Sequence, residues 1–213
     1  MKTISEIYKD YKIMPNLAEH MLRVAGVAYL ICDNFDLPVK KDEIVSACLL
    51  HDMGNIIKFN LTKFPEFLQP EGLEYWQKVQ QEYFEKYGED EHVATNMIAK
   101  EIGVSDKTIE LINAIGFFNA GETAKGDDYD KKITAYCDDR VNPFGIVSLE
   151  DRLADLRSRY AHKGGDTPER RAFEAGLRAI EPQVFAKCKI KPEDINDETV
   201  APIISKLRDF VVK

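Results

Sequence analysis

The stretch Ala47-Cys48-Leu49-Leu50-His51-Asp52-Met53-Gly54 decides how this chain is read. Upstream of it, Asp42 is a helix start signal, Ile44, Val45, Ala47, Cys48 and Leu49 fall on the inside of a helix, and Gly54 marks its end. The spacing predicts a helix whose last turn carries an imidazole directly followed by a carboxylate. A carboxylate at the edge of an apolar helix requires a partner, because burying an unpaired charge is costly.

Outward from this helix the same 3.6-residue period continues. Pro15 and Asn16 open a helix as far as Asn34, with Leu17, Met21, Val24, Val27 or Ala28, and Ile31 on one apolar stripe. His20 lies one turn before Val24, next to that stripe. Ile56 to Pro70 holds two prolines and several aromatics, which predicts a connector or lid. Further helices are expected from Pro70 and Glu71 to Gly88, from Asp90 to Ile102, and from Ser105 through Ile115. Ala120 to Asp130 reads as an exposed loop. A sixth helix through Ile133, Tyr136, Cys137 and Val141 stops at Pro143 and Gly145, and Ser148 opens a seventh. Thr167 to Cys188, with Pro168 at its first position, and Asp197 to Val212 complete the set. With no repeat and no convincing strand, the fold class is all-α.

Composition narrows the function. The chain has 213 residues, 44% apolar and 31% charged, which suits one soluble globular domain spanning residues 1–213. Lys and Arg number 29 against 37 Asp and Glu, a net charge of −8. General attraction to nucleic acid or anionic lipid is therefore not expected, and any phosphate site must be local. The longest apolar stretch, Val24 to Cys32, is too short to cross a bilayer. Met1 to Asp10 lacks the apolar core of a secretory signal, so a cytoplasmic protein is expected. Cys32, Cys48, Cys137 and Cys188 are widely spaced within apolar patterns and read as reduced core thiols.

Four histidines are present: His20, His51, His92 and His162. Asp138 sits on the sixth helix between Thr134 and Val141, near the core boundary. One divalent cation would satisfy His20, His51, Asp52 and Asp138 together, since imidazole nitrogens and carboxylate oxygens are suitable ligands and the ion offsets the burial of two aspartates. Such a mixed set fits Mn, Fe, Co, Ni or Zn better than Ca.

The order His20, then His51-Asp52, then Asp138, each on a helix, resembles the HD-domain superfamily of metal-dependent phosphohydrolases. The resemblance covers about Pro15 to Tyr160. It is carried by Glu19-His20-Met21-Leu22-Arg23-Val24-Ala25, by the Ala47 to Gly54 block, and by Tyr136-Cys137-Asp138-Asp139-Arg140-Val141. It implies an HD-domain helical bundle over residues 15–160 with a C-terminal helical extension over 161–213. It also implies that His20, His51, Asp52 and Asp138 hold one ion. Asp139 is the rival fourth ligand. Consecutive helix residues point about 100° apart, so only one of the two can face the site. Asp138 is preferred because the family's aspartate directly follows a small residue, two before the arginine, and Asp139 becomes a solvated or supporting acid.

A phosphohydrolase also needs fixed cations for its substrate. Arg23, one turn after His20, is the first candidate for a phosphate contact. Lys58, Arg140 and His92 are further substrate-binding candidates, and Asp52 is the candidate for the proton work. Many members carry a glutamate three residues after the aspartate of the pair, where this chain has Asn55. Only His92 could serve a second metal, since the helix beyond it ends Phe117-Phe118-Asn119 without an imidazole. His162 is given no role, and Phe59, Phe64, Phe67, Tyr75 and Trp76 read as core in preference to a nucleobase pocket. The function expected is hydrolysis of one phosphoester of a small phosphorylated substrate, with a nucleotide monophosphate favoured, by attack of a metal-activated water. The alternatives are a phosphodiesterase or pyrophosphohydrolase of a signalling nucleotide, and a metal-dependent nucleotide-binding module without turnover.

Overall fold

A computed structural model describes residues 2–116, 119–161 and 166–212. Eleven α-helices are present among the described residues: α1 (Ile4–Asp10), α2 (Pro15–Asp33), α3 (Lys41–Leu50), α4 (Leu73–Tyr87), α5 (Glu91–Ile102), α6 (Asp106–Ala114), α7 (Ala120–Lys125), α8 (Tyr129–Asp138), α9 (Leu149–Arg159), α10 (Pro168–Phe185) and α11 (Asp197–Leu207). Extended pairing in this part of the chain is limited to isolated bridges, so the all-α class holds.

Three helices make the frame of the site. α2, α3 and α8 pack against one another. Met21, Val24 and Ile31 of α2, Ile44 and Leu49 of α3, and Ile133 and Tyr136 of α8 are fully buried. Burying an aliphatic side chain of this size stabilises by roughly 1.5–3 kcal/mol, so the relative placement of the three helix ends is strongly determined. α11 lies on α2, where a Cβ at Gly26 would come within 2.4 Å of Val200 Cγ1. Only a glycine permits that approach.

The start signals were good guides. Pro15 opens α2, Asp90 caps α5 by accepting from His92 N and Val93 N, and Ser105 and Ser148 cap α6 and α9. Three expectations need correction. The first helix of the chain, α1, was not anticipated from sequence, although Thr3 and Glu6 form a complete capping box there. Ala120 to Lys125 is helical and not a loop, because this short segment docks on α10: a Cβ at Gly176 would meet Ala120 C at 2.5 Å. α3 ends at Leu50, so His51 and Asp52 stand in the turn just beyond the helix and not in its last turn. The Ile56 to Pro70 connector contains two short 3₁₀ turns, Asn55–Lys58 overlapping its start and Pro65–Leu68.

Cys32, Cys48 and Cys137 are buried and Cys188 is half-buried, all as free thiols. Among the described residues no helix is long and apolar enough to cross a membrane.

Candidate metal centre

His51 is set by its own helix. It follows α3 with helical backbone angles, and its ring Nδ1–H donates to the Cys48 carbonyl at 2.8 Å. That bond fixes Nδ1 as the protonated nitrogen and leaves Nε2 as the atom where a metal ion would take the place of a proton. Nε2 is buried and makes no hydrogen bond. It lies 3.4 Å from Asp138 Oδ1 and 3.6 Å from Asp52 Oδ2. His20, arriving from α2, places its Nε2 3.0 Å from the same Asp138 oxygen and 3.8 Å from the same Asp52 oxygen. The two imidazole centroids are 5.4 Å apart.

Two half-buried carboxylates thus converge on two imidazole nitrogens. Burial works against a charged His51, yet Asp52 and then Asp138 outweigh it and push the imidazole up to about 10. Asp138 is held well below the usual carboxylate range by the imidazoles, despite its burial. The cluster therefore calls for positive charge. Ligand atoms about 2.0–2.2 Å from a divalent ion lie roughly 2.8–3.6 Å from one another at octahedral or tetrahedral angles; the nitrogen–oxygen separations of 3.0, 3.4 and 3.6 Å fall in that range, and the fourth, His20 to Asp52, is 3.8 Å. His20, His51 and Asp52 each offer a ligand atom within 4.8 Å of the others and could hold a metal ion. An orphaned imidazole nitrogen, a fixed tautomer and converging carboxylates all fit a divalent cation.

Asp139 is buried, which removes the solvated alternative of the sequence reading and leaves the supporting one; burial first, and the Asp138 charge second, push its carboxyl well above the usual range.

The turn holding the pair is clamped by α5. A Cβ at Gly54 would lie 2.4 Å from the Glu91 carbonyl oxygen, and Gly54 N donates to Thr95 Oγ1 at 2.9 Å. Sequence reasoning took Gly54 only as a stop signal and missed this contact, whose signal was a glycine in the turn itself. Asn55 follows and is buried.

The expected substrate contacts separate into two groups. Arg23 is half-buried and makes no ion pair or hydrogen bond with a described residue, so its guanidinium is uncommitted. Lys58 pairs with Glu91 at 3.4 Å; its charge is favoured by Asp52 and Glu91 although burial opposes it. His92 is 70% exposed and stands 3.7 Å from Glu91. Arg140 is different. Its donors go to the Val147 carbonyl (2.6 Å), Tyr136 Oη (2.6 Å) and the Pro192 and Ile195 carbonyls (3.1 and 3.2 Å). It joins the end of α8 to the C-terminal segment, with four of its five N–H donors spent on the protein and the side chain buried, so it is not placed to meet a substrate.

Trp76 is core, donating to the Leu68 carbonyl at 3.1 Å, whereas Phe64 and Phe67 stack in line with the exposed Phe144. His162, Phe117 and Phe118 lie outside the described residues.

The family model of the HD domain matches residues 17–142, more than half of the chain, and spans all three segments of the cluster. The chain belongs to the HD-domain family, whose members are metal-dependent phosphohydrolases. No curated protein and no solved structure matches it.

Proposed function

We propose that this HD-domain protein hydrolyses one phosphoester of a small phosphorylated molecule, a nucleotide monophosphate in preference, with His20, His51, Asp52 and Asp138 holding one divalent ion of the Mn, Co, Ni, Fe or Zn group. The observation that carries the reading is the buried, unbonded Nε2 of His51 facing Asp52 and Asp138. When bound, the ion supplies Lewis acidity, bringing a water toward neutral pKa and offsetting charge on phosphoryl oxygens.

The chain's own groups do the rest. His51 is locked by the Cys48 carbonyl so that its free nitrogen stays aimed at the cluster. Arg23, on the same helix face as His20 and without a partner among the described residues, meets a phosphoryl oxygen through a charge-assisted bond. Lys58 gives a second cation from the other side of the turn, with His92 on the exposed rim. Asp52, half-buried and next in sequence to His51, is the carboxylate we assign to take up a proton.

A second reading, a nucleotide-binding module without turnover, is favoured by one feature: Asn55 puts an amide, which cannot accept a proton as a base, where many members have a glutamate. A metal-supplemented screen of phosphorylated metabolites, with phosphate release as readout, separates the two. Release from at least one nucleotide or sugar phosphate with Mn, Co or Ni, abolished by chelator, is the expected result. Silence across the panel with tight binding of one nucleotide selects the module.

A further inference from the structure

Glu91 has no part in the mechanism above, yet the fold goes to some length to place it. It is the first residue of α5, directly after the Asp90 cap, and its backbone carbonyl abuts Gly54, two residues beyond Asp52. Gly54 N bonded to Thr95 Oγ1 pins the same helix end to the same turn. From there the Glu91 carboxylate, only 23% exposed, turns back to Lys58 Nζ at 3.4 Å, with His92 Nε2 3.7 Å from the same oxygen. Lys58 ends the 3₁₀ turn that starts at Asn55, and its charge is felt by both Asp52 and Glu91.

We propose that Glu91 is a positioning residue that holds the Lys58 ammonium beside the Asp52 end of the cluster, where it meets the phosphate of the ligand. A lysine side chain has four rotatable bonds, and fixing it in advance lowers the entropic cost of the contact it makes. A single carboxylate anchored on a different helix from the lysine can do this, because the Gly54 contact packs the start of α5 directly against the turn. The role rests on the phosphate-site reading given above, but it does not require turnover.

Its sign is what makes it testable. Simple electrostatics says that removing a carboxylate beside an anion site tightens anion binding. A positioning role says the opposite, because Lys58 loses its hold. The probe is inorganic phosphate, titrated by calorimetry into the full chain loaded with Mn, with metal content measured for each variant. Glu91→Gln is expected to weaken phosphate binding by about tenfold, the scale of losing a supporting partner, with metal content unchanged. Lys58→Met should weaken it about as much, and the double variant should lose little more than either alone, since both act through one ammonium. Unchanged or tighter binding in Glu91→Gln overturns the proposal, as do additive losses in the double variant or a parent that binds no phosphate. Failure of the hydrolase reading would show differently, as absent phosphate release with this binding pattern intact.

Discussion

The Nδ1–H of His51 donates to the carbonyl of Cys48 at 2.8 Å, one turn back along its own chain. That one bond commits the ring to the tautomer whose other nitrogen can accept a cation. His51→Ala should therefore strip the divalent ion while leaving the α3 core intact. Ion at about 100 times its dissociation constant stabilises the folded state by about 2.7 kcal/mol, or roughly 5–10 °C in a chain of this size. The parent should show that rise in melting temperature on adding Mn, and His51→Ala should not. Equal metal content in both would remove His51 from the site.

Asp138 and Asp139 are neighbours with opposite surroundings. Asp138 Oδ1 stands 3.0 Å from His20 Nε2, while Asp139 is buried beside it with a raised carboxyl. Asp138→Asn should lose metal, measured as ions per chain after dialysis. Asp139→Asn should keep it, since an amide replaces a carboxyl that already favours its neutral form. The reverse result would exchange the two assignments.

Much of this was legible in the sequence because the cluster is built from local signals. His20 beside an apolar stripe, His51-Asp52 after an apolar helix, and Asp138 at the end of α8 are each placed by periodicity and stop signals. What stayed hidden was tertiary. Arg140 carries the charge of a phosphate contact, and only the fold shows its donors spent on the carbonyls of Val147, Pro192 and Ile195. Ala120 to Lys125 has two glycines near it and a weak local signal, and it becomes helix by docking on α10. Glu91 is unremarkable until Gly54 is seen to touch its backbone.

Arg23 makes no ion pair or hydrogen bond among the described residues, so its removal should cost the fold little. If the guanidinium meets the phosphoryl group, Arg23→Ala should lower kcat/KM by about 10- to 100-fold, the worth of a hydrogen bond to a charged group. Metal content should stay at the parent level. Unchanged kcat/KM would move the phosphate contact to another residue.

Glu174 of α10 ties down α9: it accepts from Arg157 Nε at 2.8 Å and from Arg178 at 3.2 Å. The Arg157 bond above all lowers its carboxyl below the ordinary glutamate value of 4.5. A group depressed in the folded state stabilises above its unfolded pKa, and that contribution is lost as pH falls through the folded value. Glu174→Gln should thus cost about 1 kcal/mol near neutral pH, at the upper end for partly exposed ion pairs. The gap between variant and parent in urea melts should close as pH drops below 4.5. A gap constant with pH would mean that the pair adds nothing through charge.

Asn55 is the position where sequence and chemistry disagree most directly. It is buried one residue after the Gly54 clamp. Asn55→Glu adds a carboxylate to a turn that already carries Asp52, so without an ion the variant should melt below the parent, because like charges crowd a half-buried site. Divalent metal should reverse that order, since the added charge is then neutralised. If a water-orienting base is what this chain lacks, phosphate release should rise about 10²-fold, the usual contribution of a positioned general base. The ion count should remain about one per chain, as four protein ligands with open positions allow. A variant that binds Mn as the parent does and gains no activity would show that the missing glutamate is not what limits turnover, and would turn attention to the nucleotide-binding module.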